Sequence, residues 1–436
     1  MTCFSSIRYS GKAAGGPIVM DNDLQVEVVY KGLKFPSSFA FLGSNDLLIL
    51  EKDNGMVKRI VNGVMVEQPL LDVNVANKKY ERGLLGIAIA KNNITGPTFV
   101  FLYFTQSSTK NDGSDNCPSN NYCRPGNEPL GNRLYRYELD NINNKLVNPL
   151  LLLDLPAAPG PAHNGGAIAI GPDNNVYIIV GDLLGYKNKA SSTMTQNFYN
   201  GPQPDGRAGV LRVTQDGKTV EDGILGDSDA LDKYYAYGIR NSFGMDFDPL
   251  TGNLWDTENG PEYGDEINLV SPGFNSGWMQ VQGLWKPTKI FNQPLRDFVR
   301  GQAIVEPEDI SLVNFSGAGK YAGPKFIWYK PVVPTALKFF NSDKLGKEYE
   351  NDMFVGDIRG NMYHFELNKN RTELALVDTL EDKIANSSKE IEMIKFGKGF
   401  GGPRSGITDI EVGPDGYLYV VSYEGNLFRI AHANQI

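Results

Sequence analysis

FLGSNDLLILEKDNGMVKRIV (residues 41–61) and EVGPDGYLYVVSYEGNLFRIA (411–431) share one layout: a turn, an apolar strand ending on acidic or polar residues, then a glycine and a second strand with a basic or aromatic centre. Four further copies lie between them. They are PTFVFLYFTQ with NRLYRYEL, IGPDNNVYIIVGD with AGVLRVT, FDPLTGNLWDTENG with DEINLV, and NDMFVGDIRG with NMYHFEL. Leu134, Arg136 and Glu138 alternate with Tyr135, Tyr137 and Leu139, the two-residue period of a sheet strand with two different faces, and no long helical period competes. Repeats of this kind predict an all-β chain, a six-bladed β-propeller with four-stranded antiparallel blades. QVEVVY (25–30) is expected to pair beside NLFRIA (426–431) and close the ring, removing free sheet edges.

The pattern divides the chain into an N-terminal extension, 1–24, and a single propeller domain, 25–436, with long loops at about 107–131, 183–206 and 271–325. These insertions are rich in Gly, Pro, Asn and Ser. Loops of that length gather at one mouth of a propeller channel, which places the functional site beneath them.

Composition agrees with a turn-rich β protein: 48 Gly and 25 Pro in 436 residues, 11% aromatic and only 21% charged. A formal charge of −9, with Lys and Arg not gathered into runs, offers nothing to a phosphate backbone or an anionic membrane surface. No stretch approaches the roughly 18 apolar residues of a spanning helix, and the opening MTCFSSIRYSGKAAGGP lacks the apolar segment of a signal peptide. A soluble protein is expected. Cys117 and Cys123, in NCPSNNYCRPG, suit a local disulfide better than a metal site, with two unpaired loop thiols as the alternative; Cys3 stands apart.

Chemistry concentrates where strands meet the loop mouth. His163, one of three histidines, stands before the third repeat among small residues, PAHNGGA, and its imidazole could act as a proton acceptor with Asp182 orienting it. The residues alone leave a capping histidine and a turn aspartate as the alternative. Arg240 and Asn241, in YGIRNSFG, fall at the same place before the fourth repeat, and an arginine there offers a fork of donors to a carboxylate or developing oxyanion. In TENGPEYGDEINLV the carbonyls of Gly260 and Pro261, with Glu258, Glu262, Asp265 and Glu266 nearby, would suit a hard cation such as calcium; a solvated acidic turn is the alternative. His364 lies within a strand and His432 near the chain end. The chain has no GxSxG elbow, phosphate-binding Gly-Lys loop, Rossmann glycine fingerprint or zinc-spaced cluster.

Taken together, ERGLLGIAIA (81–90), HNGGAIAIGPDNNVYIIVGD (163–182), YGIRNSFGMDFDPLTGNLW (237–255) and ENGPEYGDEINLV with NSGWMQ resemble the soluble quinoprotein glucose/sorbosone dehydrogenase family, in order and over about residues 25 to 430. Within it, the chain looks like the acidic aldose dehydrogenases of archaea and bacteria. The resemblance implies a six-bladed propeller that oxidises an aldose at its anomeric carbon, with hydride passing to pyrroloquinoline quinone (PQQ) while calcium polarises the quinone, and electrons leaving to an external acceptor. On that resemblance His163 is the general base, Asp182 its support, Arg240 the basic group at the reacting oxygen and Asn241 a cofactor contact. Gly260 and Pro261 hold calcium, Arg359 touches the cofactor from the fifth repeat, and Trp328 lines the mouth. Export to the periplasm or the exterior is also implied.

Two departures stand out. Glu81 falls where glucose-oxidising members carry a substrate-touching Gln, and Thr408 precedes Asp409 where the family usually places arginine, leaving Arg404 as the nearby cation for the quinone carboxylates. A non-catalytic propeller presenting its loops to a protein or glycan, and a calcium-dependent lactonase, are the competing readings.

Overall fold

The computed structural model describes residues 16–77, 81–91, 96–113, 128–184, 192–285, 311–402 and 405–433, together with the backbone of Ile7–Arg8. Cys3, Cys117, Cys123 and Arg404 lie outside the described residues. The chain is an all-β propeller whose strands, among the described residues, form six sheets. The innermost strand of each is Pro36–Gly43, Leu84–Lys91, Ile168–Ile170, Gly244–Phe247, Pro334–Phe340 and Ile407–Val412. Each packs against the next and the last packs against the first, so the six strands surround a central channel.

Closure follows the expected route: Leu24–Lys31 pairs antiparallel with Asn426–His432, so that segments from both ends of the chain share one sheet. One device recurs at the outer turns. In GPDNNVY, Asp173 accepts from the Tyr177 hydroxyl at 2.8 Å, and in GPDGYLY, Asp415 accepts from Tyr419 at 2.8 Å. The aspartate thus both shapes the turn and satisfies a phenol inside the blade.

The expectation of uniform four-stranded antiparallel blades needs correction. Only the sheet built from Leu84–Lys91, Thr98–Gln106, Gly131–Asp140 and Lys145–Leu155 has four strands among the described residues; the rest have five or six. The extra strands are mostly two-residue pieces of the connecting segments. Phe274–Asn275 and Lys320–Tyr321, both within the loop read at 271–325, add in parallel to the sheet containing Tyr234–Tyr237, and Ile384–Ala385 adds in parallel to Phe326–Trp328. A long connection laid along a sheet edge satisfies N–H and C=O groups that would otherwise face solvent.

Charge joins the inner strands deep in the channel. Lys338 Nζ lies 2.9 Å from Glu411 Oε2 and 3.5 Å from Asp246 Oδ2, while Asp409 accepts from Ser38 Oγ at 2.6 Å and from the Phe39 N–H at 3.1 Å. Four of the six inner strands are therefore linked by one network of ion pairs and hydrogen bonds. Burial pushes Asp409 up to about 6 and Glu411 up to about 7, against the opposing pull of Lys338. Burial pulls Lys338 down, but Asp246 and Glu411 more than offset this and hold it above its ordinary value.

Because the two carboxyls keep protons to higher pH in the folded chain than in the unfolded one, their contribution to stability falls as pH rises from about 4 to about 7. Lys338→Met removes the opposing cation. It should cost about 2 kcal/mol by urea unfolding, less than a fully dry pair because channel water reaches these groups. The cost should be larger at pH 8 than at pH 5; equal costs at both would show that the network is not ionic.

Candidate active site

Inner strands and the segments before them line a cavity of about 730 Å³. Its wall carries Glu81, His163, Arg240, Asn241, Asn259, Gly260 and Thr408, with Lys52 and Lys338 as further cations and Asp246, Asp409 and Glu411 as further acids.

His163 is placed by backbone geometry that few residues adopt. Its own φ is 64°, and Gly165 follows at 68°, where a side chain would bring Cβ within 2.2 Å of the Ile179 carbonyl oxygen. Across the blade boundary, a Cβ at Gly86 would lie 1.9 Å from the Gly166 carbonyl oxygen. The glycines of HNGG and GLLG thus let two neighbouring blades meet backbone to backbone beside the histidine.

The imidazole Nδ1 lies 2.5 Å from Asp182 Oδ1, and Asp182 has no solvent exposure. Trp278 Nε1 donates to Asp182 Oδ2 at 2.8 Å and the Leu184 N–H to Oδ1 at 2.9 Å. Burial pushes the Asp182 carboxyl up, but His163, Arg240 and Trp278 more than offset this, and it sits below the ordinary carboxylate range. An ionised Asp182 calls for a proton on Nδ1, which leaves the lone pair of the neutral ring on Nε2.

Arg240 is held from both sides. Its backbone carbonyl accepts from the Asp182 N–H at 2.8 Å and its own N–H donates to Glu258 Oε1 at 2.6 Å. Its Nη1 donates to the carbonyls of Asn259 at 2.7 Å and Gly260 at 3.1 Å, and its guanidinium lies 5.5 Å from the Trp278 ring. Glu81 Oε2 accepts the backbone N–H of His163 at 2.5 Å and Asn241 Nδ2 at 3.3 Å. The His163 imidazole, the Arg240 guanidinium, the Asn241 amide and the Glu81 and Asp182 carboxylates are thus brought together.

Other assignments fall elsewhere. Trp328 is fully buried among Phe326, Tyr363 and Phe365, so it packs a blade core and does not line the mouth, because Phe326–Trp328 is an outer strand. Arg359 is exposed; its neighbour Ile358 lines the cavity, because the Arg359 N–H is tied into a turn on Asp357. Thr408 lines the wall, with its hydroxyl donating to the Pro36 carbonyl at 2.9 Å. The acids of TENGPEYGDEINLV do not form a solvated turn: Glu258, Asp265 and Glu266 are buried and Glu262 alone is exposed. Asp265 accepts the N–H groups of Gly260, Val332 and Val333, fixing the Gly260 turn. Among the described residues, no group of three or more His, Cys, Asp or Glu could hold a metal ion. Sequence reasoning assigned no role to Trp278 or Asn259; Trp278 was signalled only by a tryptophan set beside a glycine in NSGWMQ.

The glucose/sorbosone dehydrogenase profile matches residues 33–295. The chain belongs to that family. By family it is a quinoprotein sugar dehydrogenase. It is 23% identical over 439 residues to the aldose sugar dehydrogenase YliI of Escherichia coli strain K12, covering 100% of this chain and 97% of that one. It is 28% identical over 268 residues to quinoprotein glucose dehydrogenase B of Acinetobacter calcoaceticus, which covers 59% of this chain and 52% of that protein. Among solved structures, the PQQ-bound aldose sugar dehydrogenase of Streptomyces coelicolor matches with a TM-score of 0.61 at 20% identity, covering 94% of this chain and 98% of that one. The apo aldose sugar dehydrogenase of Escherichia coli matches with a TM-score of 0.67 at 20% identity over 94% and 99%. These two likenesses establish the propeller fold.

Trp278→Phe removes one donor from the buried Asp182 carboxylate while keeping most of the ring volume. Urea unfolding should show a loss of about 1–3 kcal/mol; an unchanged midpoint would mean that the indole bond does not hold Asp182.

Proposed function

We propose that the protein oxidises aldose sugars at the anomeric carbon to lactones with pyrroloquinoline quinone, on a six-bladed propeller in which each of the six sheets is one blade. The observation that carries this reading is the buried His163–Asp182 pair at a polar cavity, with Arg240 fixed beside it. His163 Nε2 accepts the proton of the anomeric hydroxyl, and Asp182 stabilises the imidazolium that results. Arg240 supplies a fixed positive charge close by, at an oxygen or carboxylate.

The cavity suits a polar cofactor. Asn241 Oδ1 and both side-chain polar atoms of Asn259 are buried there without partners, beside the fixed charge of Arg240. We assign Asn241, Asn259 and Arg240 to the quinone, with Arg404 as a further cation, and the carbonyls of Gly260 and Pro261 to calcium. The bound quinone supplies the electrophilic centre that takes up hydride from the sugar, and calcium polarises it. Glu81, beside the base, holds a sugar hydroxyl. Electrons pass on to an external acceptor, and we place the protein outside the cytoplasm.

Titrating PQQ into the calcium-loaded protein should raise its melting temperature and restore sugar-dependent dye reduction. His163→Gln should keep the thermal shift and lose turnover by about 10²- to 10⁴-fold, since only the proton acceptor is removed. A wild-type protein that shows neither shift nor dye reduction with any aldose would turn the assignment to a binding propeller.

A further inference from the structure

The turn that carries His163 is held from the neighbouring blade by buried side chains that do not line the cavity. Asn164 Nδ2 donates to the Pro161 carbonyl at 2.8 Å, closing the chain over His163. Its Oδ1 accepts Asn132 Nδ2 at 3.0 Å, and its main-chain carbonyl accepts the Tyr103 hydroxyl at 3.0 Å. Asn132 is fixed in turn, with Nδ2 also donating to the Pro156 carbonyl at 3.1 Å and Oδ1 accepting Thr105 Oγ1 at 2.6 Å. Tyr103, Thr105, Asn132 and Asn164 have no solvent exposure. The first three lie on Thr98–Gln106 and Gly131–Asp140, in the four-stranded sheet, whereas His163 leads into the sheet that follows.

Main-chain carbonyls set the direction of these bonds. A carbonyl only accepts, so Pro156 and Pro161 decide which end of each amide carries hydrogen, and Asn132 must then donate to Asn164 Oδ1. The arrangement bears on His163 because its φ of 64° is a left-handed conformation that a residue with a β-carbon keeps only where its surroundings over-determine it. Glu81 holds the histidine by its N–H and Asp182 by its ring. Asn164 holds the chain on the other side, and that hold is anchored in a different blade.

We propose that Asn132 and Asn164 are positioning residues that act through His163, locking its turn in the left-handed conformation that presents the imidazole to the cavity. The kinetic consequence rests on the sugar-oxidation reading; the effect on the imidazole stands without it. With the Asn132 amide removed, Asn164 Oδ1 loses its donor and the Pro161–Asn164 turn its tie to the neighbouring blade. The histidine then relaxes from its left-handed backbone, and the ring leaves the place that Asp182 sets for it.

Carbethoxylation of the full chain by diethyl pyrocarbonate, read at each histidine by mass spectrometry, tests this without recourse to activity. In Asn132→Leu, which keeps the volume and removes the amide, His163 should react about threefold or more faster relative to His432 in the same molecule. Tyr103→Phe removes one hydroxyl from the same turn and should shift the rate in the same direction by less; it decides the matter if Asn132→Leu does not fold. An unchanged His163 rate in the folded variant would overturn the proposal. With calcium and PQQ added, Asn132→Leu should lower kcat by about 10- to 100-fold at unchanged KM and with the PQQ thermal shift intact. Combined with His163→Gln it should cost no more than His163→Gln alone. An unchanged kcat, or losses that add in the double variant, would equally overturn it. A wild type that reduces no dye with any aldose defeats the oxidation reading, whereas the carbethoxylation rates still decide the role of Asn132 and Asn164.

Discussion

A carboxylate sealed from water is tolerable only when its charge is met on every side, and Asp182 is the point from which this site is built. Its two oxygens take His163, Trp278 and the Leu184 N–H, and its own N–H reaches the Arg240 carbonyl. One side chain thereby sets the tautomer of the imidazole, anchors an indole from a distant loop and spaces the guanidinium from the ring. Arg240 then stacks on that same indole and spans the Asn259 and Gly260 carbonyls. No member of the group can shift without unsatisfying another, which is the preorganisation that catalysis asks of its first contacts.

Behind this group lies a second concentration of acid that works against stability. Glu258 faces Glu266 directly across two strands, and Asp256 faces Asn268 on the same face, all four buried. Like charges in that position repel. Burial pushes Glu258 up to about 7 and Glu266 well above the ordinary range. Ser276 and the Arg240 N–H hold Glu258, and Gln282 and the Gly283 N–H hold Glu266. The blade that carries Asn259 and Gly260 thus buries facing acids directly behind the residues that fix Arg240.

Much of this was legible beforehand, for a definite reason. Strand alternation and turn chemistry are local, so the repeated strand pairs and the closing strand read directly from segments such as GPDNNVYIIVGD. His163 and Arg240 drew notice because they stand at equivalent places before two inner strands, and Asp182 because it ends the strand that follows His163. What escaped is what depends on distant partners. Glu258 and Glu266 read as neighbours of a cation site or as a solvated turn, because nothing near them in sequence announces Ser276 or Gln282. Trp328 read as a mouth residue because its placement on an outer strand is decided by the register of the whole sheet. The additional edge strands are two residues long, too short for any period to show.

Ring closure also has a consequence in time. Glu27 and Arg429, bonded across the closing strands, are 402 residues apart in sequence. A chain synthesised from its amino terminus must therefore carry Leu24–Lys31 without its Asn426–His432 partner until nearly everything else has been made. That strand is alternately apolar and offers a free hydrogen-bonding edge throughout. The last pairing to form is thus the slowest by topology and the most open to capture by another chain. Yield of the folded enzyme should be governed by how quickly its final strand arrives.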